Sequence, residues 1–159
     1  MISTPRLQLR PHRPQDLDDS LRLWSDPAVV RYITGGPPLT REEVWSRLLR
    51  NLGHWQVYQY GYFVVLHEQK FVGEVGIAEF KREGLDLQPE AGWVMLPEAQ
   101  GQGFAREAVQ AMLDWFARPT SCIIHPDNQP SLKMAAQLGY LTQGVQHYKG
   151  QPTLVHHRP

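Results

Sequence analysis

A chain of 159 residues fits one domain, since single domains commonly run to about 200 residues, and a domain of that size buries roughly 70% of its unfolded surface without staples. Apolar residues make up 42% and charged residues 20%. That excludes a disordered or membrane composition, and no run reaches the ~18 apolar residues of a bilayer-spanning helix. Acidic and basic residues balance at 16 each, a formal net charge of +0, so the basic excess of a nucleic-acid binder is missing.

In chain order, Thr4 to Pro11 alternates, with Leu7 and Leu9 on one face, and reads as a first strand. Pro14 to Trp24 reads as a helix, because Leu17, Leu21 and Trp24 recur at helical spacing behind early acidic residues. Pro27 is placed to start a short helical piece toward Tyr32. The run Thr34-Gly35-Gly36-Pro37-Pro38 predicts a rigid turn. Thr40 and Glu43 form a capping box for a helix through about Trp55, with Val44, Leu48, Leu49 and Leu52 expected to face inward.

The pattern then turns to strands at Tyr62 to His67, Phe71 to Phe80 and Glu90 to Leu96. Phe104 to Phe116 is an amphipathic helix with Ala105, Ala108, Val109, Met112, Leu113 and Phe116 in one stripe. Ser121 to Ile124 is a short strand, and Pro130 to Leu138 a helix closed by Gly139 as a left-handed cap. Tyr140 to Tyr148 and Thr153 to His157 are expected to pair as a hairpin around Lys149-Gly150, with His156 and His157 at an exposed end. The fold class is therefore mixed α/β, without the strict alternation of a doubly wound sheet. Residues 1–159 read as a single domain without repeats.

Chemistry concentrates in EAGWVMLPEAQGQGFAREA, from Glu90 to Ala108. A strand ends before Pro97, and Gln100-Gly101-Gln102-Gly103-Phe104-Ala105 opens a helix. Small residues there let a ligand reach the backbone, and the free N–H groups and dipole of the helix start favour an anion such as pyrophosphate. A Gly-x-Gly pair alone is also compatible with a plain turn. A Rossmann loop would need a small residue where Arg106 stands, and a Walker loop would need Gly-Lys-Ser/Thr.

The same stretch resembles motif A of the GNAT acetyltransferase superfamily, Gln/Arg-x-x-Gly-x-Gly/Ala, with Gln100, Gly103 and Ala105 in the defining places. Further on, IIHPDNQPSLKMAAQLGY is similar to the companion motif, through Asn128, Ser131 and Leu138-Gly139-Tyr140. The segments DPAVVRYI and LTREEVWSRL resemble the branch containing the Rim-type ribosomal-protein N-terminal acetyltransferases and related small-amine enzymes. The resemblance implies the GNAT fold, a mostly antiparallel twisted sheet with two central strands splayed apart, flanked by helices.

It also implies a function: transfer of an acetyl group from acetyl-CoA, as co-substrate, to a primary amine on a protein N-terminus or a small molecule. The splayed strands would be Glu90 to Leu96 and Ser121 to Ile124, with backbone groups of Val94, Met95 and Leu96 on the pantetheine arm. Gly101, Gln102, Gly103, Phe104 and Ala105 would hold the pyrophosphate, Arg106 would add a charge, and Asn128 would contact the pantetheine. An alkyl amine is mostly protonated at neutral pH, so a base must take its proton; Glu74 is the first candidate and Glu90 the second. Many relatives carry an acidic Tyr seven residues after the motif Asn, where this chain has Ala135, which leaves Ser131 as the nearest donor to the leaving sulfur. Trp93 stands where relatives often carry Tyr or Trp beside the acyl site.

Other chemistries fit less well. Cys122, between Ser121 and Ile123, reads as a packed residue and not as a nucleophile, and as a lone thiol it suits a reducing cytoplasm. The 7 His residues include no HExxH and the one Cys has no pair, so no metal is expected. Trp24, Trp45, Trp55 and Trp115 read as core or pocket wall. The expected protein is cytoplasmic, a monomer or homodimer, with no nucleic-acid or membrane partner. A CoA-binding sensor with little or no turnover is the alternative, favoured by Ala135. The acceptor would be selected by the loops Ile33 to Thr40 and Leu85 to Gln88.

Overall fold

The computed structural model describes residues 1–33 and 36–159; the predicted turn residues Thr34 and Gly35 lie outside them. The described elements are β1 (Ile2–Ser3), β2 (Leu7–Pro11), α1 (Leu17–Trp24), α2 (Pro27–Val30), α3 (Arg41–Tyr58), β3 (Tyr62–His67), β4 (Lys70–Ala78) and β5 (Glu90–Met95). Then follow α4 (Phe104–Phe116), β6 (Thr120–Ile124), α5 (Gln129–Gln137), β7 (Leu141–Tyr148) and β8 (Gln151–Arg158). Eight strands form one sheet in the order β1-β2-β3-β4-β5-β6-β8-β7. Every neighbouring pair is antiparallel except β5 and β6. This is the mostly antiparallel mixed α/β sheet that the resemblance implies.

Residues opposite each other in a sheet share a face, and successive residues alternate between faces. Glu74 is opposite Val94 and Gly76 opposite both Tyr62 and Gly92. Glu74 touches Ser20 and Trp24 of α1, and Arg47 of α3 lies over Tyr62. That face is therefore covered by α1 and α3. On the other face, Val75 is opposite Phe63 and Trp93. Trp115 of α4 packs on Phe63, and Ser131 of α5 meets Trp93. Of the predicted α4 stripe, Ala108, Val109, Met112, Leu113 and Phe116 are buried and Ala105 is half-buried, while Phe104 joins them inside. Each large side chain so buried contributes roughly 2 kcal/mol relative to leaving it wet.

The local signals hold at several ends. Thr40 Oγ1 accepts from the Glu43 N–H at 3.3 Å while Glu43 Oε2 accepts from the Thr40 N–H at 2.7 Å, so both members of the box are engaged. Gly139 closes α5 at φ +85°, and Lys149-Gly150 turns the last hairpin with φ of +49° and +74°, the left-handed pair that a tight hairpin needs.

Other expectations are corrected. Leu49 faces solvent at 47% exposure, whereas α3 buries Val44, Leu48 and Asn51; the inward face is one step round from the leucine-rich one. Trp45 and Trp115 are partly exposed instead of core. His156 is buried, because β8 inserts between β6 and β7 and pairs it with Cys122 on one side and Thr142 on the other.

Candidate active site

The parallel pair β5 and β6 is joined at one register point, Glu90 opposite Ser121, and beyond it the ladder stops. A fork therefore opens from Glu90 toward the carboxyl ends of the two strands. In an antiparallel ladder a residue's N–H and C=O both point to the same neighbour, alternating along the strand. The Leu96 N–H donates to the Val72 carbonyl at 2.9 Å, so the backbone groups of Leu96 and, two back, Val94 face β4. Those of Ala91, Trp93 and Met95 face the fork. Of the three positions expected to meet an extended ligand, Met95 is directed into the gap, while Val94 and Leu96 are turned toward β4. Trp93 joins Met95, a placement that depends on strand pairing and that no motif reveals.

Past the open end of the fork, a single 3-10 turn at Pro97–Ala99 leads into the glycine loop. Gln100 folds back, its amide Nε2 donating to the Met95 carbonyl at 3.2 Å, so it ties the loop to the strand. Gly101 and Gly103 sit at φ +76° and +80°, a region that costs glycine nothing. Turns of this kind can gather successive N–H groups around an anion. The first helical bond of α4 runs from the Glu107 N–H to the Gly103 carbonyl. Among the described residues, no protein acceptor serves the N–H groups of Gly101, Gln102, Gly103, Phe104, Ala105 and Arg106. Such a row of free donors at a helix start fits a diphosphate.

Arg6, which sequence reasoning missed, comes from the other end of the chain to flank this loop. Its guanidinium donates to the Gln102 carbonyl at 2.9 Å, pairs with Glu107 and stacks over Phe104. Arg106 projects to solvent from the first turn of α4.

Across the fork, Asn128 caps α5, its side chain accepting from the Ser131 N–H at 3.4 Å. The Trp93 indole reaches over from β5 to donate to Ser131 Oγ at 3.3 Å. Ser131 is thus at the fork wall with its own hydroxyl proton still to give. Ala135 is fully buried, so the position where relatives bring a phenol is filled by packing. Cys122 is buried too, and burial pushes its thiol above the ordinary range, which removes the nucleophile.

Glu74 occupies a different setting from the open pocket wall expected of a base. Its side chain is 1% exposed, and it accepts from Ser20 Oγ at 2.7 Å and from the Trp24 indole at 3.0 Å. His12 Nε2 lies 3.1 Å from Glu74 Oε1, too poorly aligned for a hydrogen bond, so the contact is chiefly ionic. Burial pushes the Glu74 carboxyl up, but His12, Arg47 and Ser20 outweigh it and hold it down at about 2. Burial pulls His12 down, yet Glu74 and the Tyr62 carbonyl raise it overall. An imidazolium–carboxylate pair under α1 results, and a carboxyl held at about 2 is a weak base.

Glu90, at the fork's closed end, is gripped by Arg82 through two bonds of 2.5 and 2.8 Å. On the same face Tyr62 lies across the two glycines beside it. A Cβ on Gly76 would stand 2.3 Å from the ring, and one on Gly92 would stand 2.2 Å from the hydroxyl. Phe80 packs next to Tyr62, and Arg50 and Arg82 both approach the Phe80 ring, at 5.2 and 4.7 Å. Arg47 stacks 3.7 Å over Trp24. The Leu85–Gln88 loop is tied to the fork by the Gln88 N–H, which donates to Ser121 Oγ at 3.1 Å. No described helix is long and apolar enough to cross a membrane, and no cluster of three His, Cys, Asp or Glu residues able to hold a metal occurs among the described residues.

The acetyltransferase (GNAT) domain family matches residues 6–141. Among solved structures, a GNAT-family acetyltransferase from Bordetella pertussis is 29% identical with a TM-score of 0.86, covering 99% of this chain and 98% of its own. The acetyltransferase from Salmonella typhimurium that modifies the N-terminal serine of ribosomal protein L7/L12 is 17% identical, with a TM-score of 0.79 over 98% and 95% of the two chains. The spermidine N-acetyltransferase of Vibrio cholerae, solved with CoA and spermine, is 22% identical, with a TM-score of 0.72 over 97% and 94%.

Proposed function

This chain belongs to the GNAT acetyltransferase family, and on that premise we propose that it moves the acetyl group of acetyl-CoA to a primary amine by direct attack of the neutral amine. The observation that carries the reading is the β5–β6 fork opening onto a loop whose six N–H groups, Gly101 to Arg106, lack a protein acceptor. These groups would bind the diphosphate, and the fork-facing backbone of Trp93 and Met95 would bind the arm as an added strand. A backbone N–H there would stabilise the oxyanion, an interaction worth about 3 kcal/mol in favourable sites.

Both carboxylates are paired, Glu74 with His12, Ser20 and Trp24, and Glu90 with Arg82. Glu74 serves best as an anchor for α1, and Glu90, placed at the fork's closed end, takes the amine proton through water. Ser131 donates to the departing sulfur from the opposite wall, where Ala135 offers nothing. The acceptor is an amine of a protein N-terminus or a small molecule, a reading supported by the resemblance of the DPAVVRYI and LTREEVWSRL segments to the Rim-type branch.

Incubation with acetyl-CoA and an amine panel, following free thiol, tests the reaction. Amine-dependent thiol release is expected. Saturable CoA binding with no release across the panel would favour instead the sensor reading, which the buried Ala135 supports.

A further inference from the structure

Two guanidinium groups on one face of α3 have no acid in ion-pair contact with them, although the Arg47 charge helps hold the Glu74 carboxyl down. Arg47 and Arg50 stand one turn apart, and among the described residues neither makes an ion pair or hydrogen bond. Arg47 Nε is shielded from water and still lacks a partner, a costly state for a charged donor. The carboxylates on this sheet face are already spent: Glu74 on His12, Ser20 and Trp24, and Glu90 on Arg82. Glu42 and Glu43 line one hollow with Arg47 and Arg50, but Glu43 caps its own helix and Glu42 is exposed. Burial and the neighbouring Arg47 and Arg82 charges pull the Arg50 guanidinium below its ordinary value, as expected for like charges crowded together.

These cations surround the floor made by Tyr62, Phe80 and Gly92, beside the closed end of the fork. Arg47 lies 5.4 Å from the Tyr62 ring centre, and Arg50 and Arg82 converge on Phe80. An amine at the closed end of the fork, beside the Tyr62 hydroxyl that covers Gly92, would have them around the rest of its molecule. A second ammonium would be repelled there, whereas a carboxylate or phosphate would meet planar donors suited to it.

The geometry points to an acceptor that is a primary amine carrying an anionic group, carboxylate or phosphate, bound by Arg47 and Arg50. This rests on the acetyltransferase reading and narrows it away from polyamines.

The test uses four short amines that differ at the far end: 4-aminobutanoate, 3-aminopropylphosphonate, butylamine and 1,4-diaminobutane. With acetyl-CoA, kcat/KM for at least one anionic member is expected to exceed that for butylamine and for the diamine by 10-fold or more. The better of the two anions identifies carboxylate or phosphate as the group bound. Arg50→Gln and Arg47→Gln are each expected to shrink that preference at least 5-fold through KM. Arg41→Gln, which removes a surface pair with Asp18, leaves it unchanged. Calorimetry of the two anionic amines on the CoA complex reads the site apart from turnover. Binding that weakens at least 5-fold in Arg50→Gln supports the anion site even if no amine releases thiol, a result that would remove acetyl transfer alone. A preference for the diamine, a preference untouched by both substitutions, or absence of anion binding overturns the inference.

Discussion

The hydroxyl of Tyr62 stands over Gly92, 2.2 Å from the point a Cβ there would occupy. The phenol can lie flat on the sheet because residue 92 has no side chain, and it forms the floor beside the fork. Tyr62 is buried, so it has little room to retreat.

Gly92→Ala is therefore expected to destabilise the protein by about 1–3 kcal/mol, the usual range for overpacking. Tyr62→Phe removes the atom that clashes and leaves the ring carbon at 3.3 Å as the nearest contact. The double variant should accordingly be more stable than the sum of the two single changes predicts, by at least 0.5 kcal/mol. Urea unfolding of the four proteins measures the coupling, and strict additivity would rule the contact out as the cause.

Gly103→Val puts a β-branched side chain at φ +80°, with Arg6 Nη2 3.3 Å from its first carbon. The strain is on the order of 1–2 kcal/mol, and the added bulk stands within the row of free N–H groups, against Arg6. CoA binding is expected to weaken at least 10-fold by calorimetry while the melting temperature falls only a few degrees. Retained affinity would place the phosphates elsewhere.

Ser131→Ala removes the hydroxyl at the fork wall and leaves the Asn128 cap, which uses only the Ser131 backbone. A donor to the leaving sulfur acts late in the reaction, so kcat is expected to drop about 10-fold with KM for acetyl-CoA nearly constant. Equal losses in binding and turnover would reassign Ser131 to cofactor positioning.

The His12–Glu74 pair gives stability a definite pH window. His12 is raised above its ordinary 6.5, so its contribution is complete below 6.5 and is lost as pH rises through the raised value. Glu74 is lowered from 4.5 to about 2, so its contribution is complete above 4.5 and is lost as pH falls toward 2. Glu74→Gln should cost about 3–5 kcal/mol near pH 6, as when one partner of a buried pair is removed. The deficit should narrow at alkaline pH, where His12 is neutral in both proteins. Unfolding curves at several pH values test this, and turnover per folded molecule in the same variant reads any part in proton transfer. CoA affinity should stay nearly unchanged.

Much of this layout is legible in the sequence because local rules dominate where it was read. The α4 stripe, the Thr40–Glu43 box and the Lys149-Gly150 turn are fixed by neighbours within a few residues. The glycine loop is legible for the same reason, since φ near +80° at Gly101 and Gly103 needs only their own lack of a Cβ. What escapes is set by pairing across the sheet. Whether Val94 or Met95 faces the fork depends on the register with β4. The burial of His156 depends on the order in which β7 and β8 join β6. Arg6, Arg50 and Tyr62 belong to no motif, and Arg47 lies in the LTREEVWSRL segment without being marked by it; all four meet the site through tertiary packing, which spacing along the chain does not show. Leu49 was expected inside because α3 has apolar residues on more than one flank, and only the sheet selects the flank that docks.

The placement of β8 between β6 and β7 has a consequence for biogenesis. One prong of the fork is backed by β8, which follows β6 in the chain with α5 and β7 between them, so a nascent chain ending before Gln151 presents β6 with an unpaired margin. Contacts so distant along the chain form late. The cofactor cleft should therefore be completed only when β8 docks, and acyl-CoA would meet the chain as a finishing template more than as an early nucleus.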